Sequence, residues 1–388
     1  MAQTNLTNAK KAKNDEFYTQ YADIEREMNA YLDYDKDVFR DKTILLPCDD
    51  PEWSNFARYF SQNFQSFGLK KLISTSYAID SKPDGLVLQP RDEEIRHLKY
   101  DSSKARTHGR VFTLTRDMTG DDRINFQDLE WEYLEGDGDF RSAEVTALRD
   151  EADIIITNPP FSLFREFLSW IFAADKRFVI IGNMNAITYK EVFPLIKDNK
   201  IWLGNGFAAG NAYFASPTTR EYAVGVADAS TGLVKFRNVT WFTNLDHGRR
   251  HEPLALMTEA DNIKFSKRKE IKGVGYQKYD NYDAIEVPFT DAIPSDYPGI
   301  MGVPISFLNK YNPDQFEIVG SDAYDGSPPI KRYPNKEKVV DGVRMKSITG
   351  AMGCVIRQSS FGSGTYFDVG YPVQAVYKRI FIRHRGAA

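Results

Sequence analysis

Apolar residues in the first two hundred positions follow two spacings. TILLP (43–47), KLISTSY (71–77), ADIIIT (152–157) and RFVIIGN (177–183) are short apolar runs that end in turn-forming or polar residues, the pattern of buried strands. Helical spacings lie between them. WSNFARYFSQNF (53–64) is one, residues 14–32 form another with a polar start, and after Ser162, read as an N-cap, Leu163, Phe164, Phe167, Leu168 and Ile171 line one face. Strand and helix alternate, which predicts an α/β fold: a Rossmann-like, mainly parallel sheet covered on both faces.

The pattern weakens between 80 and 130. RVFTLTRDMTGDDRINFQDLEWEYLEG (110–136) reads instead as a strand pair around a Gly-Asp-Asp turn. Beyond about residue 200 the alternation stops, and basic clusters take over: DHGRRH (246–251), KFSKRK (264–269), IKRYPNKEK (330–338) and YKRIFIRHR (377–385). A domain boundary therefore falls between 200 and 235. It is drawn here at 220/221, giving domains of 1–220 and 221–388.

Charge sharpens that division. The net charge of the 388 residues is -4, yet residues 235–388 hold 22 Lys and Arg against 17 Asp and Glu, and the rest holds 28 against 37. An acidic core with a basic, partner-facing region is one reading, and a solvated surface of mixed charge is the other. Other signals are exclusions. No apolar run approaches the ~20 residues of a membrane span, and the polar start MAQTNLTNAKKAKNDEF is unlike a signal peptide, so a soluble cytoplasmic protein is expected. The two cysteines, Cys48 and Cys354, stand outside any CxxC spacing, and no HExxH occurs, so neither a disulfide framework nor a metal centre is expected.

The chemistry concentrates at TNPPF (157–161). Asn158 follows directly on the apolar strand ADIIIT, at the sheet edge where α/β proteins gather their ligands. Pro160 drives Pro159 into an extended conformation, Pro159 does the same to Asn158, and neither proline carries an N–H. Such a loop presents acceptors. The Asn158 side-chain oxygen and the Pro159 carbonyl together suit a planar NH2 group, with Phe161 as an aromatic face beside it. This equipment fits methylation of an exocyclic amine on a nucleobase, whose lone pair is delocalised: two acceptors favour a more tetrahedral, more nucleophilic nitrogen. The competing reading is a plain strand-to-helix turn.

The motif resembles that of the S-adenosylmethionine-dependent amino-methyltransferases, (D/N/S)PP(Y/F). The chain is closer still to the EcoRI-type adenine-specific DNA methyltransferases. KAKNDEFYTQYADIE, CDDPEWSNFARYF, GLKKLI, GDGDFRSAE, TNPPFSLFREFL, AITYKEVFPLIKDNKIWLG, WFTNLD, YDNYDAIEV and MGVPISFLNKYNPDQFEIV are similar to that family's segments in the same order, across roughly residues 8–320. The resemblance implies a catalytic domain binding S-adenosylmethionine, followed by a DNA target-recognition region. It implies a target-adenine pocket of Asn158, Pro159, Pro160 and Phe161. In GDGDF, Asp139 would take the adenine amino group of S-adenosylmethionine and Phe140 would stack on it; a turn aspartate and a core phenylalanine are the alternatives. Phe17, Tyr18 and Thr19 of DEFYTQ correspond to the segment contacting the methionine moiety, or else pack against a helix. Where most of the superfamily has FxGxG, this chain has PCDDP (47–51), which leaves Asp49, and after it Asp50, to meet the ammonium group.

The resemblance further implies N6-methyladenine formation in double-stranded DNA with the base flipped out of the helix, in the setting of restriction-modification beside a separate nuclease, by a monomer. Arg249, Arg250, Lys267, Arg268 and Lys269 are the candidate DNA contacts. GAATTC is the first recognition sequence to test, because similarity fades over 320–376, where specificity would be set. Methylation of an RNA guanine or a protein glutamine, which also use NPP(F/Y) loops, and a non-catalytic DNA-binding module are the competing functions.

Overall fold

The computed structural model describes residues 17–51, 53–78, 100–207, 210–215, 226–228, 230–322, 329–345, 352–360 and 364–386. The chain forms two compact units, residues 1–184 with 201–248, and residues 185–200 with 249–388. The division differs from one drawn at 220/221, because strands beyond that point pair into the first unit.

In the first unit the strands are β1 (Tyr18–Thr19), β2 (Thr43–Leu46), β3 (Lys71–Ser76), β4 (Arg110–Leu114), β5 (Glu130–Tyr133), β6 (Ile154–Thr157), β7 (Arg177–Asn183), β8 (Trp202–Leu203), β9 (Asn211–Ala215), β10 (Leu233–Arg237) and β11 (Val239–Thr243). An eight-stranded sheet runs β5-β4-β3-β2-β6-β7-β11-β8. Its central four strands, β3, β2, β6 and β7, are parallel. The flanking pairs are antiparallel. The sheet is therefore mixed rather than mainly parallel, and the strand pair expected over 110–136 forms its outer edge as β4 and β5. Ile44, Leu46, Ile154, Ile156, Val179 and Ile181, at alternate positions, share one apolar cluster with helix residues, while the intervening Leu45, Ile155 and Ile180 are equally unexposed. Burial on both faces explains why these strands read as continuous apolar runs.

Four helices of this unit matter to the site: α1 (Tyr21–Tyr34), α2 (Asn55–Gln62), α3 (Ala143–Glu151) and α4 (Phe164–Phe172). Ser54 caps α2 by accepting from the amides of Phe56 and Ala57. Ser162 is not the N-cap of α4, since it lies inside a 3-10 turn, Phe161–Leu163, that precedes the helix. Nor does the first helix begin at residue 14: Phe17–Gln20 is extended, and β1 pairs antiparallel with β9, which pairs in turn with β10. Residues 14–16 lie outside the described residues.

Glu27 of α1 ties this N-terminal part to the loop before β9. Its carboxylate, wholly buried, accepts from the Tyr31 hydroxyl at 2.7 Å and from the amides of Asn205 and Gly206 at 2.9 and 3.0 Å. Gly204 must be glycine here, as a Cβ would lie 1.9 Å from Glu27 Oε1.

In the second unit, β12 (Ile285–Glu286), β13 (Met301–Pro304) and β14 (Phe316–Ser321) join β20 (Arg379–His384) in a sheet of order β12-β13-β20-β14. A buried Arg379–Glu286 ion pair at 2.6 Å fastens its interior. The second sheet, β16-β15-β18-β19-β17, consists of β15 (Glu337–Val340), β16 (Val343–Arg344), β17 (Val355–Arg357), β18 (Thr365–Asp368) and β19 (Pro372–Ala375). It occupies much of the stretch, 320–376, over which the resemblance fades. No helix among the described residues is long and apolar enough to cross a membrane, and those residues bring together no group of metal ligands.

Burial lifts the Glu27 carboxyl to about 7, against the Tyr31 hydroxyl, the two amides and Arg26, which all pull it down. Because the folded-state value lies above the unfolded one, its contribution to stability is full below about pH 4.5 and is lost as pH rises through about 7. Urea unfolding at pH 5.5 and 8.5 is expected to show the folded state weakened at the higher pH, by about 2 kcal/mol from this group. Glu27→Gln should flatten that dependence; an equally steep dependence in the variant would contradict the assignment.

Candidate active site

The carboxyl ends of β2, β3 and β6 lie side by side, and the predicted residues of the first unit gather there. Thr157, the last residue of β6, is unexposed, and its hydroxyl lies 2.7 Å from the Pro47 carbonyl and 2.5 Å from Asp49 Oδ2. The Ser54 hydroxyl donates to the other Asp49 oxygen at 2.7 Å, and the Ser74 hydroxyl donates to the Asp49 carbonyl. Asp49 is thus a buried carboxylate held in place by hydroxyls alone among these contacts. Asp50 is engaged differently, with Arg110 at 3.1 Å, whose guanidinium also covers the rings of Phe112 and Trp131.

Asn158 sits one residue further. Its Nδ2 donates to the Phe17 carbonyl at 2.7 Å, which fixes the amide's orientation because a carbonyl can only accept. The other end of the amide is the informative one: Asn158 Oδ1 is buried with no hydrogen-bond partner among the described residues. Thr19 Oγ1 shares that condition. Orphaned buried acceptors are costly unless a ligand serves them, and here two lie on adjoining segments. Pro159 is buried, and Pro160 half-buried.

Aromatic rings form the wall beside Asn158. Phe161, half-buried, lies near-parallel to Phe17, with centroids 6.3 Å apart and planes at 24°. Phe214 of β9 and Phe236 of β10 close in edgewise on Phe161 at 6.2 and 5.8 Å. β1 carries Tyr18, half-buried, and Thr19 into this wall, and Asn55 of α2 donates to the Thr19 carbonyl at 2.7 Å. Phe214, Phe236 and Asn55 were not singled out from the sequence. Only the alternation in NAYFA and LVKFR could have hinted at the two phenylalanines, and nothing singled out Asn55.

The Gly136–Phe140 loop reaches the end of β3. Gly138, at φ +87°, passes so close that a Cβ would lie 2.4 Å from the Ser76 carbonyl. Asp139 is held by Arg141 through both carboxylate oxygens, at 2.9 and 2.5 Å. Burial raises its pKa, but the Arg141 hydrogen bonds and charge, with the Tyr77 hydroxyl, outweigh it and hold it below the usual carboxylate range. Phe140 is a correction. It is wholly unexposed, edge-on to Phe167 and Trp170 at 5.0 and 5.5 Å with Arg141 over its ring, so it has no face to offer a ligand and is a core residue.

In the second unit the basic candidates separate. Arg250 is turned inward, buried, and donates to Asn199. Arg268 is neutralised by Asp291 at 3.1 and 2.7 Å and lies over Phe289. Neither presents an open charge, so both depart from the sequence expectation. Arg249 is half-buried in a 3-10 turn, Gly248–His251, while Lys267 and Lys269 are exposed.

Thr157→Val keeps the shape of the buried side chain and removes the hydroxyl facing Asp49. Leaving that carboxylate one donor short should lower the unfolding free energy by about 1–3 kcal/mol. A urea midpoint equal to that of the parent chain would show that the contact contributes nothing.

A family model described as adenine-specific methyltransferase EcoRI matches residues 5–385. The chain is 43% identical over 317 residues to Type II methyltransferase M.EcoRI of Escherichia coli, covering 81% of this chain and 88% of that protein. It is 35% identical to Type II methyltransferase M.MgeORF184P of Mycoplasma genitalium, over 80% of this chain and 84% of the relative. Type II methyltransferase M.MpnI of Mycoplasma pneumoniae is 32% identical, over 80% and 83%. No solved structure matches. The match along nearly the whole length, together with an asparagine acceptor and aromatic wall at the mouth of the sheet, selects among the competing functions: the chain belongs to the EcoRI family of adenine-specific methyltransferases.

Proposed function

We propose that this chain methylates adenine N6 at one short sequence in duplex DNA, with S-adenosylmethionine as methyl donor. The observation that carries the reading is Asn158 Oδ1, a buried acceptor without a partner among the described residues, fixed in orientation by the Phe17 carbonyl and bordered by the half-buried face of Phe161. The donor residues fit the cofactor in kind. Asp49 suits its ammonium, Thr19 Oγ1 lacks a partner among the described residues and suits its carboxylate or ammonium, and Asp139, in the loop beside β3 and held by Arg141, suits the amino group of its adenine. When bound, S-adenosylmethionine supplies an electrophilic methyl group.

The chain's own residues do the rest. Asn158 Oδ1 and the Pro159 carbonyl accept the two amino hydrogens of adenine, which draws nitrogen's lone pair out of the ring. Phe161 stacks on the base and orients it. No strong general base is required, because the nitrogen becomes acidic only after it has taken the methyl group. A base paired in a duplex cannot reach such a pocket, so the adenine leaves the helix at a cost of a few kcal/mol.

The second unit is the target-recognition region, with Arg249, Lys267 and Lys269 among its phosphate contacts. The enzyme works as a monomer in the cytoplasm, where chromosomal DNA lies, and protects that DNA from a separate nuclease. GAATTC is the first sequence to test. Asn158→Ala should lower the methylation rate by about 10²-fold or more while S-adenosylmethionine binding, read by calorimetry, changes little; parental turnover in that variant would remove the central argument. Phe161→Ala should weaken DNA capture, and Phe161→Trp should restore much of it. Equal activity of the two would dismiss stacking at this position.

A further inference from the structure

The basic character of the second unit is not spread along it. Residues 249–329 hold 9 Lys and Arg against 13 Asp and Glu, a net of -4, whereas residues 330–385 hold 11 against 3, a net of +8. Most of that excess flanks the β15–β19 sheet, with three Lys and Arg and no acid over 330–336 and four and none over 376–385, while 337–375, which spans the sheet, holds 4 against 3; none of it includes the five candidate DNA contacts read from the sequence.

Register places two cations that make no ion pair among the described residues on one face of that sheet, exposed Arg357 and half-buried Lys338, with unexposed Val373 between them. Arg357 pairs with Val373, Val373 with Phe367, and Phe367 with Lys338, so these four form one row across four strands on one face. Arg357 and Lys338 stand at its two ends, three strand spacings or about 14 Å apart. Neither has a carboxylate partner among the described residues. Arg357 is exposed, and its guanidinium carbon lies over the Tyr371 ring at 4.3 Å, a cation–π contact that restricts the side chain's freedom. Asp280, which the same Tyr371 reaches, is already engaged. It accepts from the Tyr333 and Tyr371 hydroxyls at 2.5 and 2.6 Å and from Lys331 at 3.2 Å.

The opposite face differs in sign. There Glu337 and Asp368 stand across from one another, and Arg344 is consumed in bridging both. Two cations and no acid on one face, against two acids and one paired cation on the other, give the sheet a direction.

We infer that the face bearing Arg357 and Lys338 is a DNA-backbone contact surface of this enzyme, with Arg357, pre-set on Tyr371, gripping one phosphate and Lys338 a second. This rests on the reading of the chain as a DNA methyltransferase and adds where the duplex is held. Strand phosphates are recognised without regard to sequence, so the contact would set register and affinity rather than specificity.

The test uses the full-length protein and a fluorescent duplex of about 30 base pairs, with the dissociation constant measured across a salt series. Each phosphate contact removed should flatten the slope of log affinity against log salt by about 0.9. Arg357→Ala and Lys338→Ala should each do so, and the double variant by nearly twice as much. Arg357→Lys should keep the slope yet bind more weakly, because it keeps the charge and loses the flat stacking. Arg344→Ala, on the other face, should leave the slope as it was. S-adenosylmethionine binding and thermal midpoint, measured on every variant, identify any that fails to fold; Lys338→Ala, at a half-buried position, then carries the test alone. Unchanged slopes in folded Arg357→Ala and Lys338→Ala, or a larger effect from Arg344→Ala, would overturn the surface while leaving the enzyme's DNA reading intact. A parental protein that binds no duplex would overturn both.

Discussion

One hydrogen bond organises the site: the 2.7 Å contact from Asn158 Nδ2 to the Phe17 carbonyl. It joins residues 141 positions apart and decides which end of the amide faces outward. Two prolines after Asn158 remove the backbone donors that would otherwise compete for its oxygen, and Phe17, through its ring, sets Phe161 beside it. Without the carbonyl of β1's leading residue the amide could turn over and present a donor to an amine. The orphaned oxygen is thus built by a partnership rather than left over.

That partnership makes the segment from Phe17 to Thr19 part of the candidate site rather than an appendage. β1 pairs with β9, Asn55 holds the Thr19 carbonyl, and Glu27 fastens α1 to the loop that leads into β9. The same β9 supplies Phe214 to the aromatic wall. Four segments distant in sequence therefore share one small volume. A buried carboxylate at one end of that chain, Asp49, and another at the other, Glu27, are each satisfied by short-range donors, as isolated charges inside a protein must be.

Much of this was readable in the chain. The strands at 43–47, 71–77, 152–157 and 177–183 announced themselves because burial on both faces makes a run continuously apolar, and α4's face because Phe164, Phe167, Leu168 and Ile171 all turn inward. The loop that leaves β6 at Asn158 was legible because proline chemistry is local. What failed to show depends on distant partners. Nothing in EWEY or WFT tells an antiparallel edge from a parallel one, so the sheet read as more parallel than it is. Phe140 has the same letter whether it stacks on a ligand or fills a core. Arg250 and Arg268 looked like open charge, and only folding supplied Asn199 and Asp291. The C-terminal sheet was illegible because its strands are short and half-exposed, without a clean alternation.

The account stands most directly on what the enzyme leaves in DNA. Long-read sequencing of the chromosome from a methylation-free host expressing this chain, scored for N6-methyladenine and its surroundings, is the decisive measurement. Methyladenine confined to a single short motif is the predicted result. Chromosomal DNA free of methyladenine, from cells holding soluble protein that binds S-adenosylmethionine, would contradict it.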